Sequence, residues 1–127
     1  MKLREDYTCP LEIVHDIVKG KWKTIIIFQL RTGICSFSSL SHSILGISQK
    51  MLLEQLRELK EFGLIDKKTY EGYPLKVEYY LTARGKQMLS AILIMQEIGI
   101  AYMLEHDMRE ILDQKGICYN SYIQKSK

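Results

Sequence analysis

Cysteine is scarce in this chain, and the few present suit neither a scaffold nor a metal site. Cys9, Cys35 and Cys118 are odd in number and widely separated. Such a set supplies no disulfide framework and no zinc-ligand spacing. His15, His42 and His106 are equally scattered, with no carboxylates at ligand spacing, so no metal is expected. The start, Met-Lys-Leu-Arg-Glu-Asp, leads into no apolar core of a secretory leader. The apolar runs that come nearest to a span are Ile25 to Phe28, Ala91 to Met95 and Ile100 to Leu104. All fall far short of the roughly 20 residues of a membrane span. These absences lead to the expectation of a cytoplasmic chain with reduced thiols and no membrane partner. A large excess of either charge is also lacking: the net charge is +3, which permits a polyanionic partner without demanding one. The serines at 36, 38, 39, 41 and 43 have no paired base and no nucleophile elbow. No phosphate loop or dinucleotide fingerprint occurs either, so neither an enzyme nor a cofactor is expected.

What is present is 127 residues, 46% of them apolar, enough for one domain with a sizeable core. Residues 1–8 are polar and expected to fray. Pro10 fits the first turn of a helix that Gly20 ends, with Ile13, Val14 and Ile17 inward. Lys21 to Gly33 carries three consecutive isoleucines, which favour a strand locally. Its length and closing glycine favour a helix, with Trp22, Ile25, Ile26 and Leu30 inward. Phe37, Leu40 and Ile44 then mark a short amphipathic helix with a serine ahead of it as a cap. After the turn Leu45-Gly46-Ile47, Ser48 caps a longer helix over residues 48–62, with Leu52, Leu56 and Leu59 on one face and Gly63 at its end. A short helix, a tight turn and a longer capped helix make a helix-turn-helix. Residues 64–70 and 76–81 read as a two-stranded hairpin around Glu71-Gly72-Tyr73-Pro74. Thr82 caps a last long helix, residues 83–103, apolar over most of its circumference. Residues 104–127 form an extension holding one short helix, within 105–115. The fold class is mainly α with a small β-hairpin wing.

The wording of this chain resembles the HxlR-type winged helix-turn-helix transcriptional regulators, within the MarR-like superfamily. The matching pieces are Cys9-Pro10, Gly20-Lys21-Trp22, Phe37-Ser38-Ser39-Leu40, Gly46-Ile47-Ser48-Gln49-Lys50-Met51-Leu52, Gln55-Leu56-Arg57-Glu58-Leu59 and Gly63-Leu64-Ile65. Tyr73-Pro74, Val77-Glu78-Tyr79 and Leu81-Thr82-Ala83-Arg84-Gly85 complete the series, which spans residues 9–103. Ser36, Ser39, Leu53, Leu75 and Lys76 depart from the family wording. The resemblance implies a homodimeric regulator on a pseudo-palindromic double-stranded operator. Its two reading helices would lie about 34 Å apart, one turn of DNA. It also implies that a cysteine at position 9 can sense oxidants or electrophiles, the alternative being that Cys9 simply packs at the dimer interface.

The residues themselves suggest roles on such an operator. Gln49 can pair with adenine, Lys50 with guanine acceptors, and Leu53 with a thymine methyl, all in the major groove. Ser48 and Arg57 suit phosphates, which fix register; Arg57 could instead pair with Glu54 or Glu61. Lys76 near the wing tip suits the DNA backbone, with Lys67 and Lys68 as flanking candidates. Lys21 and Lys23 stand at a helix start, where amide N–H groups also favour a phosphate; each could equally be a plain solvated lysine. Ile13, Ile17, Leu89, Ile92, Leu93, Gln96 and Ile100 are the candidate dimer contacts. Regulation would come through Cys9 or through a small-molecule effector. The competing reading is a winged-helix protein–protein module without specific DNA binding, because fold alone does not fix function.

Overall fold

Two serines set the helix boundaries on which the rest depends. In a computed structural model, which describes residues 3–72 and 76–119, the Ser36 side chain accepts from the Ser39 amide at 3.1 Å and starts α3, Phe37–Ser43. The Ser48 side chain accepts from the Met51 amide at 3.0 Å and starts α4, Gln49–Glu61. Each cap satisfies a backbone donor that the first turn would otherwise leave unpaired. At the far end of α4, the Leu64 amide donates to the Leu59 carbonyl and the Gly63 amide to the Lys60 carbonyl, with Gly63 at φ 78°. This is the Schellman ending, and the left-handed residue it needs is the glycine.

Ahead of this pair stand α1 (Pro10–Val18), α2 (Lys23–Gln29), a single 3-10 turn (Leu30–Thr32) and β1 (Cys35–Ser36). After it come β2 (Ile65–Tyr70), β3 (Lys76–Leu81), α5 (Ala83–Glu105) and α6 (Arg109–Gln114). The hairpin is therefore part of a three-stranded antiparallel sheet, order β1-β3-β2. Cys35 lies opposite Tyr79, and Ile65 opposite Leu81. Two-residue β1 is too short to carry a strand pattern, which is why the sequence showed only two strands. Tyr73 to Leu75, in the expected turn, lie outside the described residues.

The chain divides into two compact units, residues 1–89 and 90–127. The core of the first unit is Ile26, Ile27, Leu30, Leu40, Ile44, Leu52, Leu56, Leu59, Leu64, Ile65, Tyr79 and Leu81. Ile27 rather than Ile25 belongs to it, so the inward stripe of α2 is rotated from the expected one. No residue of α1 is buried and Val14 is exposed, contrary to the stripe expected there. Of the segment expected to fray, residues 3–8 are described, and they carry a tie to α1: the Arg4 guanidinium meets Asp16 at 2.8 Å and Glu12 at 3.5 Å, and lies over the Tyr7 ring. That hydrogen bond holds the Asp16 carboxyl below its ordinary range.

The first turn of α5 is joined to the end of α4. The Thr82 hydroxyl donates to the Gly63 carbonyl at 2.6 Å and accepts from the Gly85 amide at 3.1 Å. Gly85 is required here: a Cβ on it would stand 1.9 Å from the Leu64 carbonyl oxygen, a backbone atom that cannot swing away. Gly85→Ala should therefore lose stability, by about 1–3 kcal/mol of overpacking, although alanine ordinarily favours a helix. Urea unfolding of the two proteins checks it.

In the second unit Ile92, Ile100 and Leu112 are buried. Taken as a whole helix rather than as uninterrupted runs, α5 is long and apolar enough to cross a membrane by length and composition, with only 11% of that stretch buried. Uninterrupted runs do not reveal this, because Ser90, Gln96 and Glu97 break the stretch without removing its apolar surface.

Candidate nucleic-acid interface

The apolar face of α4 fixes what its other face presents. With Leu52, Leu56 and Leu59 in the core, Ser48, Gln49, Lys50 and Arg57 are exposed, and Leu53 is 44% exposed. The exposed polar cluster lies at the N-terminal end, just past the turn. None of the ion pairs among the described residues engages Arg57, so the alternative pairing with Glu54 or Glu61 is not made. The chain thus offers donors of two geometries, the Gln49 amide and the Lys50 ammonium, beside an apolar contact at Leu53. A base edge in a major groove is read with such groups.

The turn ahead of α4 leans on α2. A Cβ on Gly46 would lie 3.9 Å from Trp22 Cη2, which places the indole against the turn. Lys21, next to it, is exposed with its ammonium 4.5 Å from the Trp22 ring centroid. Lys23 needs correcting. It is 3% exposed, and its ammonium is paired with Glu58 Oε2 at 2.5 Å. A buried lysine already held by a carboxylate cannot reach a phosphate. The sequence did contain the signal, since Lys23, Ile26, Ile27 and Leu30 recur at spacings of three, four and seven on one face.

On the wing, Lys76 is exposed but not idle. Its ammonium lies 3.5 Å from Glu78 and 5.6 Å from the Tyr70 ring centroid. A DNA phosphate would compete with an exposed pair worth under about 1 kcal/mol. Lys67 and Lys68 are both exposed, although they point to opposite faces of β2, because the wing is open on both sides there. The exposed basic residues of α4 and the wing are Lys50, Arg57, Lys60, Lys67, Lys68 and Lys76, with Glu61 and Glu71 exposed among them.

Cys9 is exposed at the N-cap of α1, and its thiol makes no cap hydrogen bond. The guanidinium of nearby Arg4 is committed to Asp16 and Glu12. Cys35 is half-buried beside Thr32 and Gly33, and Cys118 is exposed. Of the candidate dimer positions, Ile92 and Ile100 are 5% and 3% exposed, so they already face inward and have little surface left to give a partner. The open apolar positions on α5 are Leu93, Ile94, Met95, Ile98 and Tyr102. Ile13, Ile17, Leu89 and Gln96 are half-buried.

Comparison with known proteins bears on this surface. The family model described as HxlR-like helix-turn-helix matches residues 17–107. The chain is 39% identical over 107 residues to YdeP of Bacillus subtilis (strain 168), an uncharacterised HTH-type transcriptional regulator, covering 80% of this chain and 84% of that one. It is similar in structure to a proposed MarR-family regulator from Porphyromonas gingivalis W83, with TM-score 0.71 and 38% identity, over 78% of this chain and 97% of that one. It is also similar to the redox regulator HypR in its oxidised form, with TM-score 0.68 and 37% identity, over 72% of this chain and 94% of that one.

Proposed function

Because this chain belongs to the HxlR-like helix-turn-helix family of transcriptional regulators, we propose that it works as a homodimer that binds a pseudo-palindromic double-stranded DNA operator in the cytoplasm. The observation that carries the proposal is the Ser48-capped start of α4, which holds Gln49, Lys50 and Leu53 exposed together, with Lys67, Lys68 and Lys76 exposed on the wing. Gln49, Lys50 and Leu53 read bases; Ser48, Arg57, Lys21 and Lys76 hold phosphates. Lys23 takes no part. The open apolar stripe of α5 packs against the same stripe of a second copy, which accounts for a helix of this hydropathy without a bilayer.

Control comes through the thiol of Cys9. The redox regulator HypR is similar over most of its length, and Cys9 is exposed at a helix start where an oxidant can reach it. A second route is a small-molecule effector in a cavity of about 410 Å³ in the first unit, lined by Leu30, Arg31, Ile34, Tyr80, Leu81 and Leu89 among others.

A salt-titrated binding assay on DNA upstream of the chain's own gene, with scrambled DNA as reference, tests the proposal. The expected result is a preference for the upstream DNA with a steep fall in affinity as salt rises. No preference there, nor in a selection from genomic fragments, sinks specific DNA binding. A mild thiol oxidant should weaken the preference in the wild type and leave Cys9→Ser unaffected. Equal loss in both proteins would take the sensing role from Cys9, and no loss in either would leave the cavity as the control site.

A further inference from the structure

Lys23 is the one charged side chain buried among the described residues. Its position opposes it twice. Burial disfavours an unpaired ammonium, and the first turn of α2 is the positive end of a helix dipole. That turn has no acidic residue, and the cap residue Trp22 gives no side-chain hydrogen bond. The compensation comes from another element: Glu58 of α4 brings its carboxylate to the Lys23 ammonium. The same hydrogen bond holds the Glu58 carboxyl below its ordinary value, against the opposing effect of burial.

The leucine face of α4 sets which side is inward, but apolar packing is non-directional and tolerates small rotations. A buried ion pair does not, because a modest rotation would leave the ammonium without its acceptor. The precision matters at the other face. A rotation of α4 by about 20° about its axis would move a side-chain tip by about 2 Å, given a helix of roughly 5 Å radius with its side chains. Hydrogen bonds to base edges tolerate only a few tenths of an ångström around about 2.9 Å.

We infer that the Lys23–Glu58 pair is a positioning device that fixes the rotation of α4, so that Gln49 and Lys50 meet the correct base edges. Its effect is on discrimination between sequences, not on general attraction to DNA. It rests on the reading of α4 as the DNA-reading helix.

The test replaces both partners, Lys23→Met together with Glu58→Met, since removing Glu58 alone would strand a buried charge. Three quantities are measured on the full chain: the melting temperature, the ratio of upstream-DNA to scrambled-DNA affinity, and the residual dipolar couplings of α2 and α4 amides. The expected result is a melting temperature no lower than the wild type, altered couplings in α4, and a specificity ratio down by about tenfold or more, as for loss of one base contact. Scrambled-DNA affinity and salt slope stay as they were. The swapped pair, Lys23→Glu with Glu58→Lys, restores the ion pair and should recover the wild-type couplings. Unchanged couplings in the methionine variant, or a wild-type specificity ratio, overturns the inference. Should the methionine variant fail to fold, the swapped pair decides, and altered couplings there overturn it. A wild type that shows no DNA preference would instead sink the DNA reading, and the couplings alone would then decide the positioning role.

Discussion

On the dimer proposed above, Ile98→Lys should leave a monomer and remove the proposed operator binding with it. Ile98 is 64% exposed on α5, between Ile94 at 59% and Tyr102 at 57%. Ile94, Ile98 and Tyr102 are spaced by four, and Met95 lies three before Ile98, so these side chains form one continuous ridge. Two such ridges packed together would bury the apolar surface that a single chain leaves in water, with knobs-into-holes packing like that of a coiled coil. A lysine at the centre puts two ammonium groups, one per copy, into that packed seam with no acidic partner on the ridge. An unpaired charge removed from water costs several kcal/mol, so dimerisation should weaken by about 100-fold or more. Sedimentation at micromolar concentration reads the mass directly. Operator affinity should collapse in parallel, because a monomer holds only one half-site. Circular dichroism should keep its helical signal, as the site is exposed in the single chain. A variant that remains dimeric would move the interface off this ridge.

The pattern of the sequence reached as far as pattern can. Caps at Ser36 and Ser48 and the glycine end at Gly63 were legible because each is a local rule about a few consecutive backbone groups. The leucine face of α4 was legible because one period governs it. The failures share a cause: each depends on a contact distant in sequence. Two-residue β1 exists only by pairing with β3. Arg4, in the polar stretch ahead of α1, reaches Asp16, twelve residues on. Lys23 reads from sequence as a phosphate contact because its partner, Glu58, is 35 residues away and because the expected stripe of α2 holds Ile25 rather than Ile27. Between Met88 and Leu104 of α5 apolar residues fall on most of the circumference, so periodicity could not say which side faced inward. Ile92 and Ile100 were taken for partner contacts when the chain itself covers them.

Gln49→Ala with Lys50→Ala should abolish discrimination between operator and scrambled DNA while leaving the protein folded. Both side chains are exposed, and neither is the cap that starts α4, so their truncation leaves Ser48 and the leucine face intact. Surface changes of this kind ordinarily alter stability by less than about 0.5 kcal/mol. Each good base contact contributes about 1–3 kcal/mol of discrimination, so losing two lowers the specificity ratio by about 30-fold or more in each half-site. The salt slope separates two roles for Lys50. If it reads a base, the slope on scrambled DNA changes little; if it neutralises a phosphate, that slope falls by about one per copy. Arg57→Ala provides the contrast: weaker binding to all sequences alike, with a shallower salt slope, is the signature of a phosphate contact. Full operator binding by the alanine pair would mean that bases are read elsewhere on the surface, and the wing lysines would be the next residues to change. If the wild type shows no preference either, the exposed face of α4 is free for a protein partner, and the winged-helix adaptor becomes the better reading.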